Sequence, residues 1–220
     1  RTPSTAAGKG GIVNVDLSTT GSSWWGRLAR RGRRLFSSDP AARRRATAAG
    51  ALYTAAVAQA RRPGFYTELG VPDTHDGRLE LVQLHVILLL RRLQRGGPEG
   101  QALGQALFDA FFKDLDRSLR EGGVGDLSVG KYVKKIGQQF YARATALEPA
   151  LAHADRAALE TALFNAVYAA GGEPARVRAL ARYLLATDTA LGAQLEAGTA
   201  LEALRPGEVD PISAASPATT

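Results

Sequence analysis

Between Arg78 and Arg95 the sequence reads RLELVQLHVILLLRRLQR, which puts apolar side chains on nearly every face of a helix: Leu79, Leu81, Val82, Leu84, Val86, Ile87, Leu88, Leu89, Leu90 and Leu93. A helix that is apolar all round cannot lie on a protein surface, so other elements must wrap it. Its uncharged run, Leu81–Leu90, is ten residues long. A bilayer crossing takes about 20. The segment is therefore expected at the centre of a bundle and not across a membrane.

The flanking sequence supplies the wrapping helices. Asp39-Pro40 is an N-cap followed by Pro at the first helical position, and it opens a helix running to about Arg62, where Pro63 stops it. Pro63–Gly77 carries Pro63, Gly64, Gly70, Pro72 and Gly77 and reads as an extended, structured loop. Gly96-Gly97-Pro98 ends the central helix, and Glu99–Glu121 forms the next, with Leu103, Leu107, Phe111, Leu115 and Leu119 on one stripe. After Gly122, Gly123 and Gly125, Asp126 or Ser128 caps a helix from Val129 to about Leu151. Helices over Asp155–Ala170 and from Pro174 to about Leu204 complete the set. No segment alternates with period two for long enough to argue for a strand. The expected fold is all-α: a single compact helical domain of six to seven helices, with one long structured loop and a basic amphipathic N-terminal arm. Its expected divisions are a flexible segment 1–23, the arm 24–45, a helical domain 46–205 and a disordered Pro/Ser/Ala/Thr-rich tail 206–220.

Charge separates the arm from the body. The 220 residues carry 28 Lys+Arg against 21 Asp+Glu, a net +7. Residues 24–45 hold Arg27, Arg30, Arg31, Arg33, Arg34, Arg43, Arg44 and Arg45 against Asp39 alone, which is already +7. The first 23 residues add +1, leaving −1 for the other 175. A protein that binds nucleic acid over its whole surface does not have a neutral body. There is no Cys, which excludes disulfides, thiolate zinc sites and cysteine nucleophiles. His75, His85 and His153 are too scattered for a His-rich metal site. Neither a phosphate-binding loop nor a hydrolase or metalloprotease motif occurs, and no cofactor is expected.

Within the arm, SSWWGRLARRGRRLF (residues 22–36) clusters Trp24, Trp25, Leu28, Leu35 and Phe36 on one helical side and arginines on the rest. Aromatics opposite arginines suit a membrane interface, and the same chemistry stacks on bases and neutralises phosphates of RNA. A solvated basic linker whose two Trp dock on the protein's own core is the third reading. The Arg/Ser-rich, acid-poor start without Met has the look of a transit-peptide flank. An arbitrary starting point explains the missing Met equally well.

Two segments invite a chemical reading. In Arg61–Arg78, Asp73 and Asp76 straddle His75, as an acid/base or metal site would require. Asp73 and Thr74 are also natural caps for the following helix, Asp76-Gly77 is turn chemistry, and Arg78 can pair with an Asp, so a structural role is the stronger reading. In Phe108–Lys131, Asp109 with Lys113 and Asp116 with Arg120 are spaced i,i+4, and Asp114 lies beside Arg117. Cations interleaved with acids argue for a salt-bridge network on a protein-binding surface, because a carboxylate metal site needs its acids to converge alone. His85, inside the apolar helix, is expected to be a satisfied core histidine bonded to a side chain of the Pro63–Gly77 loop.

At these two segments the chain resembles the ubiquinol–cytochrome c chaperones, assembly factors for cytochrome b of respiratory complex III. The first block of matching residues is Arg62-Pro63, Phe65-Tyr66, Gly70-Val71-Pro72-Asp73-Thr74, Asp76-Gly77-Arg78 and Leu84-His85. The second is Leu107-Phe108-Asp109, Asp114, Asp116, Leu119-Arg120-Glu121, Val124-Gly125-Asp126-Leu127, Val129, Lys131 and Tyr141 with Arg143. The similarity spans roughly residues 50–170, with the blocks in family order. Leu79, Leu115, Gly123 and Ala142 depart from the family pattern, where Phe, Met, Met and Gly are usual, and none of these changes removes a charged motif residue.

The resemblance implies a helical, non-catalytic assembly factor whose client is cytochrome b. It also implies a small partner assembly factor, a place near the mitochondrial ribosome and its RNA, and peripheral membrane contact. The implied client- or partner-binding residues are Arg62, Phe65, Tyr66, Asp73, Thr74, Asp76, Arg78, His85, Asp109, Asp114, Asp116, Arg120, Glu121, Asp126 and Lys131. Membrane or RNA contact falls to Trp24, Trp25 and the arginines of the arm. The implied location is the matrix side of the mitochondrial inner membrane, with a membrane-associated place in an α-proteobacterial cytoplasm as the alternative. The alternative function is a stable structural subunit of a mitochondrial ribosome or respiratory assembly that reuses the chaperone fold.

Overall fold

Asp39 opens the described structure as the sequence requires. Its Oδ1 accepts from the Ala41 N–H at 3.0 Å, and Pro40 takes the first helical position. The computed structural model describes residues 39–168, 171–208 and 210. Among these the chain forms α1 (Pro40–Ala60), α2 (Gly64–Thr67), α3 (His75–Leu93), α4 (Gly97–Glu121), α5 (Asp126–Ala152), α6 (Arg156–Val167) and α7 (Pro174–Glu196), and no strand. Two 3-10 turns follow, Leu201–Ala203 and Pro206–Glu208.

The apolar helix is α3, and it is buried along most of its length. Leu81, Leu84, Val86 to Leu90 and Leu93 are all sealed from solvent. α1, α4, α5, α6 and α7 all pack against it. Burying a Leu or Ile side chain in this way stabilises by about 1.5–3 kcal/mol. On the α4–α5 hairpin the apolar stripe is aromatic: Phe111 and Phe140 stack with centroids 5.5 Å apart, and Phe108 and Phe112 with centroids 4.6 Å apart.

The last turn of α3 ends in charge. Arg91 and Arg92 both close on Asp188 of α7, Arg91 through Nη1 to both carboxylate oxygens at 2.9 and 2.7 Å and Arg92 through Nε at 2.9 Å. Glu148 of α5 stands 3.2 Å from Arg91 Nε. Cations at a helix C-terminus are favoured by the helix dipole, and two guanidiniums sharing one buried carboxylate fix the register of α3 on α7. Nearer the start of α3, Glu80 pairs with Arg143 of α5, both largely buried.

Several boundaries differ from the sequence reading. Pro63–Gly77 is not extended throughout: α2 forms one helical turn inside it, and α3 begins at His75 instead of Arg78, because the Thr74 hydroxyl caps the Gly77 N–H at 3.1 Å. Gly77 is required there, since a Cβ would stand 2.0 Å from the Pro72 carbonyl oxygen. Asp126 is the first residue of α5 and not its cap, which is Gly125. α7 stops at Glu196, where Gly198 takes φ +83° and the Thr199 N–H bonds back to the Gln194 carbonyl at 2.9 Å.

The Gln194 side chain then grips the departing strand of chain. Its Nε2 donates to the Arg205 carbonyl and its Oε1 accepts from the Arg205 N–H, both at 2.9 Å. Pro206–Glu208, placed by composition in a disordered tail, packs as a 3-10 turn against α1 and α7, and Asp210 accepts from Arg62. The rest of that tail, like residues 1–38, lies outside the described residues.

Candidate protein-binding groove

Helices α1 and α4 run against each other with small residues where they meet. Ala42, Ala46 and Gly50 recur every four residues on α1, and Ala102, Ala106 and Ala110 do so on α4, so each set lines one helical face. Side chains this short leave a groove of about 1190 Å³ between the helices. Arg45, Tyr53, Thr54, Gln105, Asp109, Lys113, Asp114 and Arg117 complete its lining.

The polar groups of the groove are arranged in two bonded sets. The Tyr53 hydroxyl donates to Asp114 Oδ2 at 2.8 Å, and Arg117 bonds the other oxygen of Asp114. Burial, followed by the hydrogen bond to Asp114, pushes the Tyr53 hydroxyl well above the ordinary phenol value, so it stays a donor. Gln105 Nε2 donates to Asp109 Oδ1 at 3.0 Å, while Gln105 Oε1 is buried without a hydrogen-bond partner. The walls are thus small and apolar, with both signs of charge along the rim. Such a surface can seat a helix closely and orient it by hydrogen bonds. Among the described residues no cluster of His, Cys, Asp or Glu could hold a metal ion, and no helix is long and apolar enough to cross a membrane.

Of the residues singled out from sequence, the groove brings together Arg45, Asp109 and Asp114. The first motif block forms a separate structure. Arg78 Nε donates to Asp73 Oδ1 at 2.6 Å, and that bond holds the Asp73 carboxyl below its usual range. Arg78 also lies 5.8 Å over the Tyr66 ring, whose hydroxyl donates to the Ala60 carbonyl at 2.8 Å. Thr74 is a cap, Asp76 stands in the first turn of α3 and His75 is exposed. Asp73 is thus committed to Arg78, which supports the structural reading of the Asp-His-Asp spacing.

Two motif residues cannot touch a partner at the folded surface. Phe65 and His85 are both completely buried, and Phe65 sits edge-on to His85 with centroids 5.6 Å apart. The expected bond from His85 to a loop side chain is corrected. Its Nδ1 lies 2.7 Å from the Leu81 carbonyl, and its Nε2 lies 2.7 Å from the hydroxyl of Tyr183 on α7. That hydroxyl also accepts from Gln59 Nε2 of α1 at 3.0 Å. Burial pushes the imidazole down to about 4, so it is neutral in the fold.

The remaining sites are on the surface. Arg120 Nε donates to Asp116 Oδ2 at 2.9 Å, and Arg117 stands 3.9 Å from Glu121. Lys131 is exposed on α5, and Arg62 joins Asp210. Arg43, Arg44 and Arg45 belong to the first turns of α1 and so are helical, and Arg45 approaches Asp39 at 3.8 Å and Glu99 at 3.7 Å. Trp24, Trp25, Arg27, Arg30, Arg31, Arg33 and Arg34 lie outside the described residues. Sequence reasoning missed Tyr53 and Gln105, because the four-residue spacing of Ala42, Ala46 and Gly50 and of Ala102, Ala106 and Ala110 does not by itself say that the two rows face each other.

The family described as ubiquinol-cytochrome C chaperone matches residues 67–203. The chain belongs to the ubiquinol–cytochrome c chaperone family. Among solved structures, the crystal structure of the Cbp3 homolog from Brucella abortus matches with a TM-score of 0.64 at 34% sequence identity, covering 76% of this chain and 97% of that chain. No curated protein matches. The matched family region begins at Thr67 and contains the α4 wall of the groove, whereas the α1 wall precedes it.

Proposed function

We propose that this member of the ubiquinol–cytochrome c chaperone family is a non-catalytic assembly chaperone for cytochrome b of complex III, and that it holds a helix of the client in the α1–α4 groove. One observation carries the proposal: two facing rows of Ala and Gly leave a helix-sized channel whose rim holds pre-bonded acids and cations. Apolar membrane helices pack through close backbone approach and a few polar contacts, and this channel offers both. Asp109 and Asp114 are its proposed contact residues from the sequence reading, joined by Tyr53, Gln105 and Arg45, the last of which the sequence reading assigned to membrane or RNA contact. The arm, residues 24–45, is proposed to bring the chaperone to the matrix face of the inner membrane or to the ribosome, with a small partner factor completing the complex.

Filling the channel tests this. Ala106→Trp, at a half-buried position in the groove wall, should lower assembled complex III several-fold while cytochrome b transcripts persist, and a photo-crosslinker at position 106 should capture cytochrome b. Normal complex III in cells carrying the Trp variant would sink the groove assignment. Stoichiometric co-purification with a ribosome or respiratory complex through high salt, with normal cytochrome b maturation, would favour a structural subunit instead.

A further inference from the structure

Many arginines of the body are held by carboxylates; the lysines are distributed differently. The chain has five lysines, and three of them, Lys131, Lys134 and Lys135, fall within five residues of α5. All three are exposed, and the residues on the other face of the same turns, Val129, Ile136 and Phe140, are buried in the core. The i, i+3, i+4 spacing therefore sets three ammonium groups side by side on the outward face. None of them has an ion-pair partner among the described residues. The acids of the adjoining α4 end are already engaged: Asp114 with Tyr53 and Arg117, and Asp116 with Arg120. Beside the lysines stands Tyr132, 48% exposed and one of two large hydrophobic side chains left open to solvent among the described residues.

We infer that the Lys131–Lys135 face of α5 is a docking surface for an anionic lipid membrane, with Tyr132 as its interfacial anchor. The surface is the convex side of one helix, which suits a plane of headgroups. Single-stranded nucleic acid is tracked by a basic groove with several stacking aromatics, and this face has neither a groove nor a second ring. Lysines on flexible stems reach headgroups as point charges, and a phenol with an apolar body and a polar tip is at home at the water–lipid boundary. Ser128 and Gly130, both exposed and small, leave the preceding turn low enough for close approach. The surface is separate from the groove, so its failure would leave the client proposal standing.

The experiment uses the full chain carrying Trp24→Ala and Trp25→Ala, which removes both native tryptophans. Adding Tyr132→Trp then makes position 132 the sole indole. Its emission should shift to the blue with vesicles of 70:30 phosphatidylcholine:phosphatidylserine and stay put with phosphatidylcholine alone. Each lysine at an anionic surface contributes about fivefold, so Lys131→Ala/Lys134→Ala/Lys135→Ala should lower partitioning by about 100-fold. The three Lys→Arg changes should preserve it. Unshifted emission on anionic vesicles, or equal partitioning of the alanine variant and its parent, would overturn the inference. So would an alanine variant that loses binding to a homopolymeric RNA while its vesicle binding is unchanged.

Discussion

The ends of α3 and α4 carry similar arginine–carboxylate chemistry in opposite settings. At the end of α3, Arg91, Arg92 and Asp188 are nearly closed to solvent, and Glu148 is the one further carboxylate paired with them. At the end of α4, Asp116, Arg117, Arg120 and Glu121 pair across successive turns in the open. Desolvation makes the first cluster costly to break and forces a single geometry on the helices that bring it together. Water makes the second cheap to break and leaves its charges exchangeable. One set of residues thus fixes the bundle, and the other stays available to a partner.

The largest test of that contrast is Asp188→Ala. It strands the Arg92 guanidinium, leaves Arg91 with Glu148 alone, and should cost about 3–5 kcal/mol by urea denaturation. A loss under about 1 kcal/mol would mean that water reaches the cluster. Next comes the buried Glu80–Arg143 pair. Burial outweighs the attraction of Arg143 and pushes the Glu80 carboxyl from 4.5 up to about 7. Between those values the folded state holds a proton that the unfolded chain has released, so Glu80 lowers stability as pH rises through the window. His85 acts with the opposite sign: from 6.5 down to about 4 the unfolded chain takes a proton that the fold refuses, and stability falls on acidification. The two oppose each other between pH 4.5 and 6.5. Glu80→Gln should therefore expose a steeper acid loss over that range in urea midpoints, and an unchanged profile would refute the assignment.

Gln83 sharpens the rule from the other direction. It is fully buried on α3, and neither atom of its amide head has a hydrogen-bond partner in the structure. Gln83→Leu should raise stability by about 1–3 kcal/mol in thermal or urea unfolding. A loss would show that buried water satisfies the amide in solution. The smallest effect belongs to the exposed cluster: Asp116→Asn should cost only about 0.3–0.5 kcal/mol. A much larger loss would erase the distinction between the two helix ends.

The central helix was legible because ten uncharged residues, apolar on every face, have one place to go in a water-soluble bundle. Asp39-Pro40, Thr74 and Asp155 were legible as helix starts because capping is local chemistry. The partner of His85 was not, since Tyr183 lies 98 residues away and only packing brings it near. The groove was hidden for another reason: Ala every fourth residue reads as good helix-forming sequence whether or not a second row of Ala faces it. The turn at Pro206–Glu208 was hidden by its composition. Pro, Gly and Ala suggest a loose end, and the amide of Gln194 that holds them belongs to a different helix.

That amide has a mechanical consequence. Both 3-10 turns pack on α1, with Leu201 also beside Gly96 and Gly100 at the start of α4, Gly207 near Gln59, and Asp210 on Arg62. The segment works as a strap across the first helix, held in its middle by Gln194 and at Asp210 by Arg62. Because α1 is also one wall of the groove, that wall is held in part by residues that line no part of the channel. Loosening the strap is a local opening, lower in free energy than global unfolding. Such an opening would free one wall of the groove while the buried arginine cluster holds the rest of the bundle in place.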